Sequence, residues 1–123
     1  MDEVGTAASL TQQELTTEER AMPIYQTAHY QIRPEAVDRV KRAIGEFVRY
    51  VTDNEPGSRL YSAWQQADDP TRFVHLFIFE DEAAHEAHGH SAAVRAFEDV
   101  YTPELTAGPV IFTDYHLVAA NTP

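Results

Sequence analysis

The sequence lacks cysteine, is poor in basic residues and contains no long apolar run. With no cysteine among its 123 residues, the chain has no disulfide, thiol nucleophile or cysteine-ligated metal site. Nine Lys and Arg against 20 Asp and Glu give a formal charge of −11, which opposes binding to nucleic acid and anionic membranes. No stretch approaches the roughly 20 apolar residues of a membrane span, and the N-terminus lacks a signal-peptide pattern. We therefore expect a cytoplasmic protein without nucleic-acid or membrane partners.

Several well-known catalytic and cofactor motifs are also missing. There is no Gly-x-Ser-x-Gly elbow, no glycine-rich phosphate-binding loop and no Rossmann fingerprint. The sequence therefore indicates no site for a flavin or a nicotinamide, and we predict that the protein uses no cofactor.

The length fits a single domain with one core. Residues 1–22 carry five acids against one base and few large apolar groups, which is typical of an acidic extension outside the core. Within it, Thr11 and Glu14 have the spacing of a capping box, so a short helix is an alternative to a disordered tail. We assign residues 23–120 to the folded domain.

Alternating and helical spacings predict the order β-α-β-β-α-β. Residues 23–32 alternate as a strand, and apolar residues recur every three or four positions from Val37 to Val51, as in an amphipathic helix. Further strands are predicted at 58–66, 72–79 and 110–119, with a hairpin connection at 67–70. The second helical region is predicted to break at Gly89 and to restart with Ser91 as its cap. This order is the α+β, ferredoxin-like arrangement with an antiparallel sheet.

The third strand is apolar on both faces. One face carries aromatic rings and a histidine (Phe73, His75, Phe77 and Phe79), and the other carries Val74, Leu76 and Ile78. A small antiparallel sheet covers only one face with its own helices, so the second face predicts a partner sheet in a homodimer. The alanine-rich helix that follows directs His88 toward this sheet, where it would form a pocket wall.

The chain resembles the antibiotic biosynthesis monooxygenase family over about residues 23–119. The resemblance rests on short pieces in a characteristic order: Glu55-Pro56-Gly57, Leu60-Tyr61, Asp81-Glu82-Ala83-Ala84 with His88 after it, Ser91, Phe97 and the loop from Pro103 to Leu105. It implies a dimeric α+β barrel built from two ferredoxin-like subunits.

The sequence departs from the family pattern on the central strand. Phe77 stands where many members have glutamate, and Phe79 stands where many have an aromatic residue, often tryptophan. The related haem-degrading proteins also rely on an asparagine in the first strand, but the matching part here, around Thr27 and Ala28, has none. Of the residues on which the haem-degrading proteins rely, only the helix histidine has a match here, His88.

The resemblance implies cofactor-independent oxygenation of a small aromatic, quinol or polyketide-type molecule. His88 is the candidate catalytic base, because imidazole titrates near neutral pH. The other pocket candidates are aromatic residues and histidines: Phe77, Phe79, Trp64, His75, Tyr61, Tyr115 and His29. Two alternatives stay open: a non-catalytic ligand-binding or sensing dimer, and an oxygen-independent isomerase or cyclase. His88 itself could be a histidine that only packs.

Three histidines, His85, His88 and His90, lie close enough in sequence to consider a metal site. They do not match the His-Glu-x-x-His pattern, because His85 and His88 are separated by one residue too few. We interpret them as a polar helix edge and predict no metal.

Overall fold

The computed structural model describes residues 16–121, which form one antiparallel sheet covered on one face by helices. The helices are α1 (Thr17–Arg20), α2 (Val37–Asn54), α3 (Glu82–Gly89) and α4 (Ala92–Tyr101). The strands are β1 (Ile24–Gln31), β2 (Ser58–Gln66), β3 (Asp69–Phe79) and β4 (Ile111–Tyr115). Single 3-10 turns, Pro34–Ala36 and Thr102–Glu104, precede α2 and follow α4. The α+β order β-α-β-β-α-β is confirmed.

The strands lie in the order β2-β3-β1-β4, and each neighbouring pair is antiparallel. The register pairs Ala28 with His75 and with Phe112, and it pairs Tyr61 with Phe77. Since side chains alternate along a strand, these residues share one face of the sheet, which we call the inner face. The helices cover the inner face.

The opposite side of the sheet, which we call the outer face, has no cover from residues 16–121. Large side chains stand exposed on it, as their relative accessibilities show: Leu60 39%, Trp64 60%, Leu76 37%, Ile111 60% and Tyr115 50%. By contrast, the alternate positions of β3 from Phe73 to Phe79 are all buried. The predicted two-faced strand is therefore present, with one face inside the chain and the other outside it.

Local signals explain where the helices begin. Asp81 caps α3, its carboxylate accepting a hydrogen bond from the Ala84 backbone N–H at 2.9 Å. Ser91 caps α4 in the same way, accepting from the Val94 N–H at 3.1 Å. The predicted break at Gly89 and restart at Ser91 are confirmed. Helices α2 and α4 pack on the inner face through Phe47 and Phe97, whose rings stack with centroids 5.2 Å apart.

A buried carboxylate fastens the loop after α4 to the start of α2. The side chain of Glu104 is buried and pairs with the guanidinium groups of Arg33 and Arg39. The hydrogen bond from Arg33 is the largest of the effects that hold the pKa of Glu104 below its usual value.

Several sequence predictions need correction or fall outside the description. β4 ends at Tyr115, earlier than predicted, and residues 116–120 form no regular structure. The β2-β3 turn is shorter than predicted, because Asp69 and Pro70 already belong to β3. The capping box predicted at Thr11 lies outside the described residues. Thr16 instead caps the single turn α1, in a capping box with Glu19.

No helix within residues 16–121 is long and apolar enough to cross a membrane.

Candidate active site

A cavity of about 420 Å³ lies between the inner face and the helices. Its volume is within the range of roughly 300–1,000 Å³ that is usual for small-molecule sites. Strands, α2, α3 and α4 all contribute to its walls. The lining residues most relevant to its chemistry are Gln26, Tyr30, Tyr61, His75, Phe77, His85, His88, Glu98, Tyr101 and Asp114.

His88 reaches this cavity from α3 and is paired with a carboxylate. Its Nδ1 lies 2.8 Å from Oε1 of Glu55, and both side chains are largely buried. The ring packs against Phe79, Phe47 and Tyr61, with centroids 5.0, 5.5 and 5.6 Å away. Nε2 has no protein hydrogen-bond partner within the described chain. The carboxylate thus fixes the ring orientation and leaves Nε2 available to a ligand.

Glu55 is held by the turn between α2 and β2. The Ser58 hydroxyl donates a hydrogen bond to Oε1 of Glu55 at 2.9 Å. Because that oxygen also faces His88 Nδ1, an ionised Glu55 requires the proton on Nδ1, which makes Nε2 the basic nitrogen of neutral His88. Oε2 of Glu55 is buried without a hydrogen-bond partner among residues 16–121.

A close approach between the α2-β2 turn and α3 determines the distance between Glu55 and His88. A Cβ atom added to Gly57 would lie 2.6 Å from Cβ of Ala84, and the Gly57 carbonyl accepts the Glu80 N–H at 2.8 Å. Glycine at position 57 therefore lets the turn contact the helix that carries His88.

A second polar group in the cavity wall is a histidine between two tyrosines. Nε2 of His75 lies 2.8 Å from the Tyr30 hydroxyl, and Nδ1 lies 3.1 Å from the Tyr61 hydroxyl. His75 is 1% exposed, and burial lowers its pKa to about 4. It is therefore neutral near pH 7. Burial likewise raises the pKa of both tyrosines, which keep their protons.

The cavity has acidic groups and no basic side chain of Lys or Arg among the lining residues of the described chain. Glu98 and Asp114 contribute carboxylates, and the Gln26 amide donates to Asp114 at 2.7 Å. Such walls disfavour a carboxylated or phosphorylated ligand.

The remaining histidines do not form a metal site in the part of the chain that is described. His85 lines the cavity, but its Nδ1 lies 3.7 Å from Oε2 of Glu82, beyond hydrogen-bond distance. No group of three histidine, aspartate or glutamate side chains within residues 16–121 is arranged to hold a metal ion.

The structure brings together only some of the residues proposed from the sequence. His88, His75, Tyr61 and Phe77 line the cavity, and Phe79 is fully buried beside His88. The other three candidates lie on the outer face and do not line it: Trp64, His29 and Tyr115. Trp64 and His29 instead line a separate cavity of about 300 Å³ on that side.

Two residues central to this geometry were not identified from the sequence. In the sequence, Glu55 stands out only within Glu55-Pro56-Gly57, and Tyr30 is only one position of the strand predicted at 23–32. No local signal links Glu55 to His88, because 33 positions separate them and their contact depends on the fold. For Tyr30 a signal was available, because side chains alternate along a strand and the pairing of β1 with β3 places Tyr30 and His75 on the same face.

Comparison with other proteins identifies the family and the fold. The sequence profile of antibiotic biosynthesis monooxygenases matches residues 23–100. No curated protein matches the chain.

Solved structures resemble the fold at low sequence identity. A proposed antibiotic biosynthesis monooxygenase from Bacteroides thetaiotaomicron superposes with a TM-score of 0.75 at 17% identity, over 83% of this chain and 95% of its own. Rv0793 from Mycobacterium tuberculosis gives a TM-score of 0.70 at 20% identity, over 81% and 99%. A conserved Methanosarcina mazei protein gives 0.69 at 19% identity, over 81% and 97%. These likenesses establish the fold, and the profile match, which covers more than half of the chain, shows that it belongs to the antibiotic biosynthesis monooxygenase family.

Proposed function

We propose that this protein is a cofactor-independent monooxygenase that oxidises a small, neutral aromatic substrate in the inner-face cavity. The observation that carries the proposal is the pairing of His88 with Glu55 at the wall of an aromatic cavity. A base at the wall of an aromatic cavity is what deprotonation of a phenol or an aromatic ketone requires.

The reaction begins with proton transfer from the substrate to Nε2 of His88. Glu55 stabilises the imidazolium that forms, because its carboxylate already faces Nδ1 at 2.8 Å. The electron-rich substrate anion then reduces dioxygen. With an anthrone, the CH2 group becomes a carbonyl: one oxygen atom enters the product, and the other leaves as water with the two hydrogens.

The charge of the cavity supports a neutral substrate. Its carboxylates, Glu98 and Asp114, are not balanced by a Lys or Arg among the lining residues of the described chain. An anionic substrate would be repelled, whereas a flat aromatic molecule can pack on Phe77 and Tyr61, whose rings stack at 5.0 Å.

We further propose that the outer face packs against a second copy of the chain. The support is the row of large exposed side chains on that face, Leu60, Trp64, Leu76, Ile111 and Tyr115, together with the family resemblance. Light scattering should give about twice the chain mass of 13.9 kDa, and a monomer at micromolar concentration would contradict the proposal. A cytoplasmic location remains a prediction from the sequence.

Oxygen uptake tests the catalytic proposal. The assay compares the wild-type protein with His88→Ala on 1,8-dihydroxyanthrone, corrected for autoxidation. Loss of a general base should lower the rate by roughly a hundredfold or more. The control is His90→Ala, which removes an exposed histidine that follows α3 and should leave the rate unchanged.

Each alternative function gives a distinct result in this assay. Turnover of the substrate without oxygen consumption would indicate an isomerase or cyclase. Binding of the anthrone without any turnover would indicate a ligand-binding or sensing protein. Uptake that survives in His88→Ala would remove His88 from the mechanism.

A further inference from the structure

We propose that the Tyr61 hydroxyl donates a hydrogen bond to a carbonyl or phenolic oxygen of the substrate while His88 takes the proton. This inference rests on the proposed function and names a second group of the same site. It defines the substrate class as an enolisable aromatic ketone or a phenol whose oxygen gains negative charge on deprotonation.

His75 and the two tyrosines beside it carry one proton more than their two hydrogen bonds use. Neutral imidazole carries one N–H and one acceptor nitrogen, and each tyrosine carries one O–H. Three protons are therefore available for the two hydrogen bonds that join His75 to Tyr30 and Tyr61. One tyrosine accepts from the histidine, and the proton of that tyrosine has no partner within the triad.

The two distances indicate which tyrosine keeps the unused proton. The 2.8 Å separation between the Tyr30 oxygen and Nε2 fits a hydroxyl donor, which makes shorter bonds than an N–H donor. The 3.1 Å separation between Nδ1 and the Tyr61 oxygen fits donation by the ring N–H. Tyr30 therefore donates to His75, His75 donates to Tyr61, and the Tyr61 O–H remains for the ligand.

The position of Tyr61 suits this role. Its ring is fixed between Phe77, stacked at 5.0 Å, and Phe47, which contacts it edge-on at 5.3 Å. Its ring packs against that of His88, with centroids 5.6 Å apart, so the two side chains are neighbours in the cavity wall. Both side chains line the cavity. Burial raises the pKa of Tyr61, so the hydroxyl stays protonated and can act as a donor.

The chemical consequence is stabilisation of the substrate anion. When His88 removes a proton from the carbon beside an aromatic ketone, the negative charge moves to the ketone oxygen. A hydroxyl that donates a hydrogen bond to that oxygen stabilises the charge as it forms. His88 and Tyr61 then act on two different atoms of the same substrate.

The hydrogen-bond direction can be tested without any ligand. Nitrogen-15 NMR of the histidine rings distinguishes the protonated from the acceptor nitrogen, and we expect the proton of His75 on Nδ1. A proton on Nε2 would make Tyr30 the tyrosine with the unused O–H and would overturn the assignment to Tyr61. This measurement needs no variant, so misfolding cannot obscure it.

Binding of the inert ketone 1-tetralone tests the donor. Its carbonyl carbon-13 resonance should move downfield on binding to the wild-type protein, and tetralin, which lacks the oxygen, should bind less tightly. In Tyr61→Phe the carbonyl shift should disappear and binding should weaken roughly three- to tenfold, as expected for one lost hydrogen bond. The matched control is Tyr101→Phe, which removes another hydroxyl from the cavity wall and should keep the shift.

Three results would overturn the proposal: no binding of 1-tetralone to the wild type, a shift that survives in Tyr61→Phe, or a shift lost in Tyr101→Phe instead. Because 1-tetralone is bound and not oxidised, the result is independent of oxygen uptake. If the carbonyl shift depends on Tyr61 but the protein shows no oxygenase activity, Tyr61 is the hydrogen-bond donor and the proposed monooxygenase function is wrong.

Discussion

The two faces of β3 carry similar apolar side chains in opposite surroundings. On the inner face Phe73, His75, Phe77 and Phe79 are each 5% exposed or less. On the outer face of the same strand Leu76 is 37% exposed, and the large outer-face side chains of β2 and β4 are more exposed still. The helices within residues 16–121 account for the difference, since they cover one face of the sheet only.

This contrast separates two uses of the same strand. The inner face borders a cavity, and in its wall His88 is paired with Glu55 and His75 is paired with two tyrosines. The outer face is broad and apolar, and it lacks a carboxylate-paired histidine among the described residues. Paired polar groups at the wall of a cavity suit chemistry on a small molecule, whereas an exposed apolar sheet suits a second copy of the chain.

The largest expected effect comes from the inner face. Phe79→Ala removes a fully buried ring beside His88 and should lower the free energy of unfolding by about 3–5 kcal/mol. Urea denaturation at low protein concentration, where the proposed dimer is dissociated, measures the loss. Leu76→Ala is the control on the outer face of the same strand and should cost less. Equal losses would contradict the difference between the faces.

The next effect is a pH dependence specific to the inner face. Because burial lowers the pKa of His75 to about 4 from 6.5, the unfolded chain binds a proton there that the folded chain does not. The contribution of His75 to the free energy of unfolding is therefore present above pH 6.5, and it is lost as the pH falls toward 4. Between neutral pH and pH 4 this group should lower the free energy of unfolding by about 3 kcal/mol.

Histidine variants on the two faces isolate that contribution. His75→Gln should remove it from the pH profile of urea denaturation. His29→Gln, on the exposed outer side of the neighbouring strand, is the control variant measured beside it. A profile that His75→Gln does not alter would show that His75 is not held neutral by burial.

The smallest effect concerns the turn that positions Glu55. Gly57→Ala would place a Cβ atom 2.6 Å from Cβ of Ala84, so the turn must move away from α3. We expect a loss of about 1–3 kcal/mol, the usual cost of overpacking, measured by thermal or urea denaturation. Gly45→Ala is the control, because its Cβ would meet no atom within 4 Å. Similar stabilities for the two variants would argue against a tight turn-helix contact.

Much of the fold could be predicted because its signals are local. The alternation on β3, the apolar spacing of α2 and the Ser91 cap each depend on a few neighbouring residues. The strand predicted at 58–66 has the same first and last residues as β2. The end of β4 was not predictable from its apolar content, because the exposed residues after Tyr115 have no strand to pair with in the described chain.

The candidate site was less accessible to prediction because it depends on contacts between distant residues. Trp64 and Tyr61 are three positions apart on β2, so a regular strand places them on opposite faces, and only Tyr61 can share the cavity with Phe77. The same parity separates His29 from Tyr30 and Tyr115 from Asp114. Parity could have excluded the outer-face candidates, whereas the partner of His88 required the folded chain.

The decisive experiment is a crystal structure of the protein with 1,8-dihydroxyanthraquinone, the product expected from 1,8-dihydroxyanthrone in the proposed reaction. We expect the quinone in the inner-face cavity, packed on Phe77 and within hydrogen-bond distance of His88 Nε2. We also expect a second copy of the chain on the outer face. A quinone bound on the outer face, or an empty inner cavity with His88 turned away from it, would contradict the account.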